Sequence, residues 1–465
     1  RGGKEVQAHP APRERAAERR VAEVKRRRVR AEDQADAEVP RQEREQARRE
    51  EAKAEADVAF EEARRRWKEA DAEITSDPFS FWRRVVKGFP ASDGKGGETE
   101  IPASEFAHEA RRLFQTCGAM GEEGGERDEG GWRRAAAEMA RKGGRPPPPR
   151  VPFRMEPYTF REVRRSARAR KQTTKPGWDG LVGAWWMLPA LTRAAVAVVD
   201  WTRKARKPGV GMSWVEARFI QKNGKEVEEY KRNLKAWRVI GKPLTLTKVV
   251  EGARMRRRTD FFRENGYVDP TDPQKGNKGG LAGCVAHCAG LSEELAGMAA
   301  EARKGEVAFL DLRDAYSSAP HALLQVAEEW WHLPREETEF WKEADAAGTA
   351  RVLVGKEEVW AGPVTVGVVA GGTASPDRFC LALEVVMRAS DARVASERVI
   401  LKDPRTGEKK ERSSRKGLMD DTTLLVATVE AMQRELVKVA GDFKSVNLLV
   451  HPGKCVTGSI KRGHL

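Results

Sequence analysis

Val307-Ala-Phe-Leu-Asp311-Leu-Arg-Asp314-Ala-Tyr316 is the stretch whose reading decides the fold. Its apolar and β-branched run reads as a buried strand, and a carboxylate at the end of such a strand is costly unless something neutralises it. A second acidic cluster, in Gly417-Leu-Met-Asp420-Asp421-Thr-Thr-Leu-Leu-Val426, interrupts a run of the same kind. A strand ending at Asp311 sets its carboxylate at a sheet edge, and a hairpin with Asp420-Asp421 at its turn brings two more beside it. Carboxylates so close resist joint ionisation unless a cation is present. Two divalent ions about 3.5–4 Å apart would neutralise them and clamp both ends of a phosphoryl displacement. Asp311 and Asp420 are the principal candidate ligands, with Asp421 close by and the Leu312 carbonyl as a further oxygen donor. A lone Asp-Asp pair reads more readily as a solvated turn, so the decision rests on the segments around it.

Gly367-Val-Val-Ala370-Gly371-Gly372-Thr-Ala-Ser375-Pro376 is one of these. Ser375 as cap and Pro376 at the first helical position read as a helix start, followed by the apolar Phe379, Leu381, Leu383 and Val386. Glycines before it let another chain, such as nucleic acid, approach the backbone closely, although a plain strand-to-helix turn is the better reading for this segment alone. Upstream, Lys222 and Arg238 have the chemistry to bind a triphosphate, Arg through a bidentate fork and Lys as a point charge. Solvated surface charge is the simpler reading of both.

Taken in order, these segments resemble the motifs of reverse transcriptases, most closely those of non-LTR retrotransposons. Asp311 to Tyr316, with Pro320-His321 and Leu323-Leu324, resembles motif A; Gly367 to Pro376 resembles motif B; Leu418-Met-Asp420-Asp421 resembles motif C; and Leu449-Val-His451-Pro-Gly-Lys454-Cys455 resembles motif D. Lys175 to Leu181, Trp214 to Lys225, Trp237 to Ile240, Leu246 to Glu251 and Gln274-Lys275-Gly276 are similar to the finger segments. The likeness covers roughly residues 75–460 and is strongest from about 171. The chain departs from the pattern at Leu418, where an aromatic is common, at Ala370, where Gln is common, and at Val239, where Pro is expected.

The resemblance implies an α+β fold, a right-hand polymerase with fingers and an antiparallel palm sheet backed by helices. It implies an RNA-directed DNA polymerase that uses dNTPs, an RNA template and a DNA primer, with two Mg2+ ions, or Mn2+, held by Asp311, Asp420, Asp421 and the Leu312 carbonyl. Lys222, Arg238, Arg313, Asp314, Tyr316 and Gly371 would line the nucleotide site. Tyr316 would lie beneath the sugar and exclude the 2′-hydroxyl, the one group that separates the two nucleotide classes. Lys454 would stand near the triphosphate and protonate the leaving pyrophosphate. The departures at 239, 370 and 418 suit an alternative, a domesticated or decayed copy that binds RNA in a ribonucleoprotein without polymerising.

The 465 residues carry 86 Lys and Arg against 71 Asp and Glu, a net charge of +15. Such a surface attracts phosphate backbones in a salt-dependent way. Residues 1–80 balance, with 20 basic and 20 acidic side chains, so the excess lies beyond them. Five scattered cysteines suit a reducing compartment, nuclear or cytoplasmic. Cys284-Val-Ala-His287-Cys288 lacks the second ligand pair a zinc site needs. No apolar run is long enough to span a membrane.

Composition divides the chain into a charged helical or disordered arm at 1–74, an extension with Pro- and Gly-rich loops at 75–150, a fingers region at 151–300 and a palm at 301–465. No thumb is recognisable after Lys454, and a further protein or C-terminal segment is expected to supply it.

Overall fold

The computed structural model describes residues 50, 100–115, 128–169, 181, 183–209, 211–222, 227–267, 291–298, 304–354, 357–390, 400–402, 407–411, 415–418 and 421–460. Internal contacts divide the chain into two units, Arg1–Gly88 with Met187–Leu191, and Phe89–Trp186 with Thr192–Leu465. Of the first, only residue 50 and Met187–Leu191 are described. The charged arm (residue 50 apart), Lys175 to Gly180, Gln274-Lys275-Gly276 and the Cys284–Cys288 group lie outside the described residues.

The chain is mixed α+β, with helices around several small sheets. In order the helices are α1 (Ala103–Phe114), α2 (Glu129–Lys142), α3 (Phe160–Arg168), α4 (Pro189–Ala205), α5 (Val227–Arg232), α6 (Thr245–Glu264), α7 (Ala315–Ser318), α8 (His321–Trp330), α9 (Arg335–Ala346), α10 (Ser375–Ala389) and α11 (Val429–Ser445). The strands are β1 (Trp214–Gln221), β2 (Trp237–Pro243), β3 (Gly305–Leu310), β4 (Leu312–Arg313), β5 (Thr349–Val354), β6 (Glu357–Pro363), β7 (Ile400–Lys402), β8 (Lys409–Glu411), β9 (Arg415–Leu418), β10 (Asp421–Val426), β11 (Leu449–Val450) and β12 (Val456–Ile460).

Two four-stranded sheets carry the design, ordered β2-β1-β5-β6 and β12-β3-β10-β9. The basic hairpin expected near 214–240 is the antiparallel pair β1–β2, Ile220 facing Arg238 and Gln221 facing Trp237. Its other edge pairs in parallel with β5, so the sheet joins residues 214–243 to residues 349–363. In the second sheet, β3 sits between β12 and β10, and both pairings are antiparallel.

Beneath this sheet lies the main core. Leu310, Leu312, Leu424 and Val426 pack with Leu323 and Leu324 of α8, with Phe379, Leu381, Leu383 and Val386 of α10, and with Phe443 of α11. Helix α10 is buried almost all round, which is why its sequence shows no clean polar stripe.

Arginines run through the interior beside this core. Arg378 of α10 grips Asp345 with two hydrogen bonds of 2.7 and 2.8 Å and Glu328 with one of 2.8 Å. Arg258 of α6 reaches Asp377 at 3.0 Å, while Arg254 bonds Glu337 at 2.6 Å and lies over the Phe340 ring. Burial pushes the Glu328 carboxyl above its ordinary range; Asp345 is buried too, but the facing Arg378 charge outweighs that and holds it low. Pairing of this quality is what makes buried charge tolerable.

Candidate active site around Asp311

Strand β3 ends at Leu310 and Asp311 follows it directly. Thr422 pairs with Leu310, so one further step of the same register sets Asp421 opposite Asp311. Asp421 opens β10, is exposed, and pairs with Leu418 of β9. The link between them, Met419 and Asp420, lies outside the described residues. The hairpin expected from the sequence is thus formed by β9 and β10, with Asp421 as a strand residue rather than part of the turn.

On its other side Asp311 meets the segment that follows α11. Its carbonyl accepts from the His451 amide at 2.8 Å, while Leu312 and Arg313 pair with Val450 and Leu449. These short strands deliver Lys454, on the turn Pro452–Lys454, to 3.1 Å from Asp311 Oδ2. Lys454 is 61% exposed and Asp311 26%. The distance makes an ion pair, but the alignment does not make a hydrogen bond, so Asp311 Oδ2 is buried without one. Thr422 Oγ1 and His451 Nδ1, on the two segments flanking Asp311, are buried without hydrogen bonds as well.

An anionic oxygen in that condition is the donor a hard cation takes. Asp311 and Asp421 therefore fit a divalent ion in donor chemistry. Among the described residues, no group of three or more His, Cys, Asp or Glu side chains is arranged to hold one. Asp420, the other principal candidate, is not among them.

After Asp311 the chain turns sharply. Asp314 adopts a left-handed conformation, φ +45°, and leads into the single turn of α7. Its carboxylate is taken by Arg112 of α1, at 2.8 Å. Tyr316 is half-buried and stacks on Phe379, ring centroids 4.9 Å apart and planes 22° from parallel. Arg313 is half-buried on β4, and the Leu312 side chain belongs to the core.

The glycine loop packs onto this turn. The Gly367 amide donates to the Ala319 carbonyl at 2.9 Å and the Val368 amide to that of Tyr316 at 2.7 Å. Gly371 has φ +106°, and a Cβ there would stand 2.2 Å from the Gly241 carbonyl oxygen. The backbone that makes this close approach is that of β2, whose Gly241 amide also donates to Ala370 at 2.6 Å. Ser375 does not cap α10, as the sequence suggests; Ala374 holds the cap position and has no side-chain acceptor to offer. Glu251 of α6 instead ties down the loop ahead of the helix, accepting from the Thr373 amide at 3.0 Å and the Ala374 amide at 3.2 Å. A cavity of about 100 Å³ borders this loop, lined by Glu251, His321, Trp341 and Arg378 among others; none of the site residues inferred from sequence lines it.

Lys222 and Arg238 belong to the other sheet, around β1 and β2. Arg238 is exposed. Lys222 is half-buried and donates to the Lys235 carbonyl at 2.6 Å. Arg112, Glu251 and His451 are positions to which the sequence reading gave no role in the site. No protein-family model matches this chain, and no curated protein matches its sequence.

Proposed function

We propose that the chain is an RNA-directed DNA polymerase of the non-LTR retroelement type, built as a fingers-palm unit, that adds dNTPs to a DNA primer on an RNA template. The observation that carries this reading is the convergence at Asp311: its buried oxygen that makes no hydrogen bond, Asp421 opposite it in the extended register, and Lys454 beside it. The alternative, an RNA-binding component that does not polymerise, finds support in the ion pair that already neutralises Asp311 and in the departures at Ala370 and Leu418.

Asp311, Asp421 and, by resemblance, Asp420 and the Leu312 carbonyl would hold Mg2+. When bound, that ion lowers the pKa of a hydroxyl and neutralises charge on a phosphoryl group in transfer. The remaining work falls to the chain itself. Lys454, released from Asp311, is within reach of a leaving pyrophosphate and carries the proton it needs. Tyr316, braced by Phe379, offers a flat ring for the sugar of the incoming nucleotide. Lys222 and Arg238 supply cations for phosphates on the finger hairpin.

Asp421→Asn and Asp311→Asn test the proposal. Each is expected to abolish Mg2+-dependent extension of a DNA primer on an RNA template while leaving template affinity nearly unchanged, because phosphate contacts elsewhere carry affinity. Full extension by either variant would falsify the site assignment. Salt-sensitive template binding by the wild type with no extension favours the RNA-binding alternative.

A further inference from the structure

Helix α1 lies outside the segments in which the resemblance is strongest, yet its last turn holds both loops of the candidate site. Arg112 is 8% exposed, and its Nη2 donates to Asp314 Oδ2 at 2.8 Å and to Glu109 Oε1 at 2.7 Å, while Nε bonds Glu109 Oε2 at 2.7 Å. Burial alone would lower its pKa, but the two carboxylates hold it above the ordinary arginine range, so the charge stays in place. Two and three residues on, the Phe114 carbonyl accepts from the Thr365 amide at 2.8 Å, and the Gln115 carbonyl from Thr365 Oγ1 at 3.1 Å, just ahead of the glycine loop.

Asp314 is the position at which the chain takes a left-handed turn between the Asp311 strand and the helix of Tyr316. A non-glycine residue there carries strain that its surroundings must over-determine. The Arg112 guanidinium bonds its carboxylate through Nη2, joining positions 202 residues apart.

We infer that Arg112 is a positioning residue for nucleotide selection: through Asp314 it fixes the angle at which Tyr316 meets the sugar of an incoming dNTP. This deepens the polymerase reading and rests on it. In this role Arg112 acts through Asp314 rather than on the nucleotide. Its loss lets the 314–318 turn relax, and misplacing a binding group by about 1 Å is enough to cost up to two orders of magnitude.

The test compares full-length wild type with Arg112→Gln, Asp314→Asn, their double variant and Glu109→Gln. Asn keeps an acceptor at 314 and tolerates the left-handed turn. In primer extension, Arg112→Gln is expected to raise the KM for dNTP about tenfold, a loss of roughly 1.4 kcal/mol, with kcat little changed. Asp314→Asn should share that effect non-additively, whereas Glu109→Gln should not reproduce it. Hydrogen exchange supplies the readout that does not depend on activity: amides of 315–319 should lose protection in Arg112→Gln while those of α8 keep theirs. Unchanged exchange there, or an equal effect of Glu109→Gln, overturns the positioning role. Absence of extension by the wild type overturns the polymerase reading instead, and leaves the exchange result to decide whether Arg112 clamps the turn.

Discussion

Gly371 illustrates what single residues contribute. Its φ of +106° and the Gly241 carbonyl 2.2 Å from where a Cβ would stand make two separate demands, one on conformation and one on space. Gly371→Ala is expected to cost at least 1–3 kcal/mol, roughly the strain of a disfavoured backbone, with the steric clash added. Urea unfolding measures it, and a loss under about 0.5 kcal/mol would mean that the loop is not held against β2. Asp311 was legible in the sequence because a carboxylate closing an apolar run has few innocent explanations. Arg112 was not. An arginine in a helix is usually solvated, and the partner that buries this one lies 202 positions away.

At the scale of elements, α3, α6, α9 and α10 are joined by charge as much as by apolar contact. Removing one member of a buried, well-paired cluster leaves the others uncompensated. Arg378→Met should therefore destabilise the fold by about 3–5 kcal/mol, by stranding Asp345 and leaving Glu328 with only the longer Arg258 contact. A similar urea midpoint in wild type and variant would show that solvent reaches this network. These buried arginines were invisible in advance, since composition records a charge without its partner.

The pairing of α3 with α6 also sets an acid limit. Glu162 closes a capping box with Thr159 and accepts from Arg257, at 2.9 and 3.1 Å. Partial burial would raise its pKa, but these bonds prevail and bring it from 4.5 down to about 2. The folded value lies below the unfolded one, so the stabilisation is full above pH about 4.5 and disappears as the pH falls through about 2. Glu162→Gln should flatten the melting temperature of the protein across that window. An unaltered acid profile would move the dependence to other carboxylates. The helix start at Thr159 has the sequence form of a capping box, whereas the hold of Glu251 on the loop before α10 has none, because it depends on α6 lying across that loop.

For the whole molecule, the net charge of +15 and its location beyond residue 80 matter most. Binding to an RNA–DNA duplex should weaken by roughly 10³–10⁵ between 50 and 200 mM salt if about 6–10 phosphates are contacted. Fluorescence anisotropy over that range checks it, and a flat response would exclude backbone contacts as the source of affinity. No helix among the described residues is long and apolar enough to cross a membrane. The α+β class is expected from the family resemblance, and the β9–β10 hairpin follows from local pattern. The parallel union of β1 with β5 does not, because nothing near either strand marks its partner.

That union also sets a timetable for biogenesis. The β1–β2 hairpin is complete once residue 243 has been made, but the strand that closes its open edge begins at residue 349. At about 5–20 residues per second, a ribosome leaves that edge uncovered for roughly 5–20 s. Unpaired backbone on an emerging strand is a template for the wrong neighbour. The nascent chain is thus open to misassembly at this edge during the synthesis of the Asp311 segment, and a chaperone that shields strand edges would act in that interval.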